Sequence, residues 1–223
     1  MIGWLLVALP ALLWAEDTCW EPARQEEGIS AWTCDLPESD YDAIRLETIV
    51  DRSPAWLLTL NTRAEELADW MASFKNVDVI QQAAWYDYFL HIRYAFPFPY
   101  EDRDSVTHSW AMRDPQSGRV RLQFEAAADM IPPEPDHVRM PTLRGAWTFT
   151  PLDDGRTRVV YESVLDPGGQ GPAWVVNMFG LDVPFKTMVA LRARTDRDLQ
   201  PLHALEDLPA ATLSDDFLLG PER

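Results

Sequence analysis

The chain has 223 residues, a formal net charge of −17, 47% hydrophobic and 11% aromatic residues, and ten tryptophans. Such a composition can bury one sizeable core. Its negative field disfavours nucleic acid and stable docking on anionic membranes as primary functions.

The first fifteen residues, MIGWLLVALPALLWA, are apolar and uncharged and precede the acidic pair Glu16-Asp17. They are too short for a comfortable membrane span of about 20 residues. They read as a secretory signal peptide, residues 1–15, cleaved after Ala15. A short N-terminal anchor is the competing reading. Periplasmic or secreted localisation follows from the first. Cys19 and Cys34 are the only cysteines, and an even pair in an exported chain suggests a disulfide. Two unrelated free thiols are the alternative.

In chain order, residues 28–34 and 43–51 read as strands. Ser53 is a helix N-cap with Pro54 at the first helical position, opening a helix over 53–62. A second helical piece, 64–74, has an acidic first turn. Strand candidates then run over 76–83, 85–96, 103–113, 119–128, 137–150 and 156–165. Residues 114–118 and 152–155 form turns. From Pro172 to Leu199 the pattern is helical, with Pro184 set to kink or interrupt it. Residues 16–199 therefore form one domain, and 200–223 an acidic, loosely attached tail. The fold class is α+β. A curved antiparallel sheet wraps around a long C-terminal helix, with two short helices after the first strands.

Alternation assigns faces. Tyr86, Tyr88, Leu90, Ile92, Tyr94 and Phe96 share one side, opposite Asp87, His91 and Arg93. Val106, His108, Trp110 and Met112 are placed on that same aromatic face, as are Val120, Leu122, Phe124 and Ala126. The helix contributes Trp174, Val175, Met178, Leu181, Phe185, Met188 and Val189 at three- and four-residue steps. Most of these residues suit an ordinary sheet-on-helix core. An apolar face that also carries tyrosines and a histidine equally suits a ligand cavity.

The stretch DPGGQGPAW (166–174) admits two readings, a phosphate cradle or a tight strand-to-helix turn. No Gly-Lys-Ser/Thr follows, so the turn is favoured. The four histidines, His91, His108, His137 and His203, form no HExxH or paired spacing, and no GxSxG occurs. No metal, no cofactor and no catalytic residue is expected. His108 reads as a hydrogen-bonded core histidine before it reads as an acid or base. Asp102, Arg103 and Asp104 read as structural ion pairs at a strand entry. Arg103 is also a candidate anchor for an anionic head group, and Asn177 and Lys186 are further polar anchors on the helix.

FPFPYEDRD (96–104), VRMPTLRGAWTFTPL (138–152) and GRTRVVYESVLDPGGQGPAWVVNMF (155–179) occur in this order. Together with Leu191-Arg192 they resemble the bacterial branch of the START-domain family, in the helix-grip superfamily that includes polyketide cyclases. The resemblance implies a U-shaped sheet around a long helix, and a tunnel for a lipid or other hydrophobic molecule. It carries over no catalytic residue. The expected cavity residues are Tyr88, Leu90, Ile92, Tyr94, His108, Trp110, Phe124, Trp147, Tyr161, Trp174, Met178 and Phe185. The reading is a monomeric, non-enzymatic carrier with transient membrane contact. Its alternatives are a cyclase- or hydrolase-type enzyme using His108 or Tyr161, and a protein-interaction module with a filled core.

Overall fold

The computed structural model describes residues 19–96, 98, 100–169 and 180–219. The strands are β1 (Glu21–Glu26), β2 (Ile29–Cys34), β3 (Ala43–Val50), β4 (Phe74–Ala84), β5 (Asp87–Tyr94), β6 (Asp102–Arg113), β7 (Val120–Ala126), β8 (His137–Arg139), β9 (Thr142–Pro151) and β10 (Thr157–Asp166). They form one sheet in the order β1-β2-β3-β10-β9-β7-β6-β5-β4, with β8 alongside β6. Every pairing on that path is antiparallel. Only the short β8 runs parallel to its neighbour. The helices are α1 (Pro54–Thr62), α2 (Ala64–Leu67) and α3 (Asp182–Ala193).

Local chemistry accounts for the boundaries. The Ser53 side chain accepts a hydrogen bond from the Trp56 amide, and Pro54 sits in the first turn of α1, where its missing N–H costs nothing. The second helical piece is shorter than the sequence suggests. It stops at Leu67, and Ser73, at φ 66°, turns the chain into β4. The strand expected over 137–150 splits at Pro141, which has no N–H for a ladder. The sequence reading missed β1, whose residues EPARQE are almost all exposed. Glu27 and Gly28 both have positive φ, as a tight two-residue hairpin requires. Pro184 falls in the first turn of α3, so there it interrupts no established ladder.

One face of the sheet carries the main core. Leu46, Phe149, Val159, Phe185, Met188 and Leu191 are buried there with Leu57, Leu58 and Leu60 of α1. Gly145 of β9 is required by this packing. A Cβ there would lie 2.4 Å from Phe124 Cζ and 2.5 Å from the Glu162 carbonyl oxygen. Gly145→Ala is therefore expected to cost about 1–3 kcal/mol by overpacking, read as a lower urea midpoint at unchanged m-value. An unchanged midpoint would show that both the Phe124 ring and the β10 backbone at Glu162 move aside freely.

The segment after α3 is not loosely attached. The Leu202 amide reaches Thr59 Oγ1, and His203 stacks on Trp85 at 4.3 Å. Residues 209–211 then hydrogen-bond along Arg113. Arg119 and Arg121 donate to the Ser214 carbonyl, and Trp20 Nε1 to Asp216 Oδ2 at 2.7 Å. Leu218 joins Cys34, Leu36, Ala43 and Val164 in a second, smaller core, with Trp20 and Phe217 against it. Acidic composition suggested a solvated tail. What holds it is a set of arginines on the outer sheet face and leucines at wide spacing, neither of which makes a periodic signal. Cys19 and Cys34 are disulfide-bonded beside this core, with Cα atoms 5.1 Å apart. The expected signal peptide lies outside the described residues.

Candidate functional site

Between the inner sheet face, α1, the 67–74 segment and the start of α3 lies a cavity of about 610 Å³. Strand register builds its wall, because residues directly opposite share a face. Leu122, Trp147 and Tyr161 are aligned across β7, β9 and β10. Tyr88, Ser109, Phe124 and Gly145 form the next row, then Leu90 and Thr107, then Ile92 and Ser105, then Tyr94 and Arg103. Asn61 of α1, Met71 and Phe74, and Asp182, Val183 and Lys186 of α3 are also among the lining residues. The Ala72 amide donates to Thr187 Oγ1 at 3.0 Å, pinning the 67–74 segment to α3.

The lining is aromatic and aliphatic with few polar points. Trp147 packs on Tyr161 at 4.7 Å, and Phe74 meets Tyr94 edge-on at 5.0 Å. Burial pushes the phenols of Tyr88, Tyr94 and Tyr161 up, so all three are neutral hydrogen-bonding groups. The Tyr94 hydroxyl pairs with Ser105 Oγ at 3.0 Å. Gly145, by leaving Phe124 room, sets how far that ring projects over the sheet.

Arg103 is buried at the end of the cavity nearest the 166–169 turn. Its guanidinium lies over Phe96 at 4.2 Å and donates to the carbonyls of Glu101, Pro167 and Gly168. Gly168 and Gly169 have positive φ, and the Asp166 carboxylate accepts from the Gly168 amide at 2.8 Å. The described part of this glycine stretch thus turns carbonyls toward a cation. That is a strand-end turn, not an amide cradle for phosphate.

The three residues Asp102, Arg103 and Asp104 point to three separate partner sets. Asp102 pairs with Lys75 and accepts from the Phe96 amide. Asp104, on the outer face, accepts from His91 Nε2 at 2.9 Å and from Arg139 Nη2 at 2.7 Å.

The placement of β6 corrects the sequence reading. Arg103, Ser105, Thr107 and Ser109 face inward, so His108 and Trp110 lie on the outer face, away from the cavity. His108 Nε2 bonds Asp87 Oδ1 at 2.8 Å, and its ring stacks between Phe89 and Trp110 at 4.4 and 4.6 Å. A one-residue slip exchanges every side chain between faces. Here the aromatic residues of β6 made the wrong face look like the inner one. His108 therefore takes no part in cavity chemistry. Phe185 is fully buried under the Arg24 guanidinium at 3.8 Å, in the core beside the cavity and not in its lining. Tyr88, Leu90, Ile92, Tyr94, Phe124, Trp147, Tyr161 and Arg103 do line it. Trp174, Asn177 and Met178 lie outside the described residues. Asn61, Thr107, Ser109 and Met71 were missed. Pairing register would have found Thr107 and Ser109, but nothing in the sequence links Asn61 to the sheet.

Comparison with known proteins agrees with this architecture. An uncharacterized protein of Pseudomonas aeruginosa is 28% identical over 183 residues, covering 82% of this chain and 89% of its own. The crystal structure of a STAR-related lipid transfer protein fragment from Xanthomonas axonopodis superposes with a TM-score of 0.75 at 25% identity. It covers 81% of this chain and 100% of that one. Human StAR-related lipid transfer protein 5 has the same fold, with a TM-score of 0.70 at 18% identity over 81% of this chain and 88% of its own. The START domain family model matches residues 11–198. A ten-stranded sheet, antiparallel except at β8, packed against a helix, and a family match spanning most of the sequence place this chain in the START-domain family.

Proposed function

We propose that this protein is an exported, non-enzymatic binder or carrier of a lipid or other hydrophobic small molecule, held in the cavity between sheet and helices. The observation that carries the reading is the cavity of about 610 Å³, within the usual range for ligand sites. Its lining of Trp147, Tyr161, Phe124, Leu90 and Ile92 suits apolar cargo. Burying about 300 Å² of ligand apolar surface would contribute roughly 7 kcal/mol before ordering costs. Membership of the START-domain family supports the same class of ligand. The apolar first fifteen residues and the Cys19–Cys34 disulfide support a periplasmic or secreted location. Contact with a donor or acceptor membrane would be transient, and the working unit a monomer.

The test is native mass spectrometry of the exported protein after exposure to total membrane lipid. Bound mass released by solvent as lipid is the expected result. Leu90→Trp, which fills the middle of the cavity, is expected to lower occupancy tenfold or more. His108→Ala, on the outer face, should leave it unchanged. A wild-type protein that stays free of lipid, or a Leu90→Trp protein that loads normally, would overturn the reading.

A further inference from the structure

Among the described residues, Asn61 Oδ1 and Thr107 Oγ1 are buried without a hydrogen-bond partner, and both residues line the cavity. Each residue is 2% exposed. Buried polar atoms are ordinarily satisfied, and an orphan costs free energy. The other orphaned side-chain atoms belong to residues outside this lining.

The orientation of Asn61 is fixed. Its Nδ2 donates to the Leu57 carbonyl at 2.9 Å, one turn back in α1. Exchanging the amide atoms would set oxygen against oxygen, so Oδ1 is the atom left over. It can only accept. Whatever satisfies it must bring an O–H or N–H. Thr107 can donate or accept. Ser109, two residues along β6, and Tyr88, opposite Ser109, add further neutral polar groups on the same wall.

The charged residues of the described lining are Arg103, Asp182 and Lys186. Arg103 is committed to backbone carbonyls and Phe96. Asp182, at the start of α3, is paired with Arg24. An anionic head group has no hydrogen to give Asn61 Oδ1, and an ammonium beside it would lose its hydration with no free carboxylate in the described lining to replace it.

Resting on the cavity reading above, we infer that the cargo is a neutral amphiphile with a hydroxyl or N–H donor, a hydrophobic alcohol or amide, whose donor engages Asn61 Oδ1 and whose polar group also meets Thr107. The cavity holds about twenty water-sized volumes, which suits a ligand of roughly twenty heavy atoms.

The experiment compares hexadecanol with its methyl ether, which keeps the oxygen and the chain but has no donor. Both are offered to the full exported protein in competition, read by native mass spectrometry. The wild type is expected to prefer the alcohol by about tenfold. Asn61→Leu is expected to erase the preference while still binding the ether, and Thr107→Val to reduce it. Equal binding of alcohol and ether by the wild type would overturn the inference, since the orphan atoms would then be served by water. So would an unaltered preference in Asn61→Leu. Binding of neither probe by any variant would sink the cavity reading itself, and the inference with it.

Discussion

Asp104→Asn is expected to cost about 3–5 kcal/mol of folding stability, the range for removing one partner of a buried ion pair. Asp104 has no exposed surface. It accepts two hydrogen bonds from Arg139 Nε and Nη2, one from His91 Nε2 and one from the Glu134 amide. Burial opposes its charge, but Arg139 and His91 together outweigh burial and hold the carboxyl below the usual range. A depressed carboxylate contributes stability that is present above about pH 4 and lost as pH falls through the native value. The substitution leaves the Arg139 guanidinium, itself nearly buried, without its counter-charge. Urea unfolding at pH 7 reads the loss, and the acid limb of the pH–stability curve should flatten. Asp154→Asn serves as the contrast, because its pair with Arg156 is half exposed and no shift in the midpoint is expected. Equal effects at the two sites would mean that the Asp104 network contributes no more than a surface pair.

Glu162 titrates in the opposite sense. It sits on the outer face of β10 beneath the C-terminal segment, 1% exposed. Arg45 lies 3.9 Å away, Arg121 and Asp216 lie near, and the Phe217 amide donates to it at 3.2 Å. Burial dominates, Arg45 partly offsets it, and Asp216 adds to it, so its carboxyl is pushed up to about 7. Between about pH 4.5 and 7 the native state keeps a proton that the unfolded chain has lost. Stability therefore falls as pH rises through that window, by roughly 3 kcal/mol from this one group. Glu162→Gln mimics the protonated form. The variant is expected to match wild type at pH 5 and exceed it at pH 8 by an amount of that order. Parallel pH profiles for the two proteins would refute the assignment.

The sequence carried the fold class well and the cavity wall unevenly. Hairpin turns at Gly118 and Gly155 and the Ser53-Pro54 helix start are local signals, and each survives in the fold. Tyr88, Leu90, Ile92 and Tyr94 alternate with Asp87, Phe89, His91 and Arg93, three of them polar, so the inner face of β5 was legible. In β6 both faces are covered. Loop residues around Glu134 and the Phe89–His108–Trp110 stack lie outside, and the cavity lies within. Apolar and polar residues then cease to mark inside and outside. Hydroxyls at 105, 107 and 109 face a cavity that uses polar points, while an aromatic pair faces out. Asn61 was invisible for another reason. Its role depends on which turn of α1 meets the sheet, and no neighbouring residue reports that.

The family match ends at residue 198, yet the physical unit does not. Leu199, Leu208, Leu213 and Leu218 are all buried. The family match and the packed core thus draw different borders in this chain. A protein trimmed to the shared family region would bare Arg121 and Glu162 and an apolar strip beside the disulfide. The strap that lies beyond the family match also keeps the back of the sheet from becoming an adhesive surface.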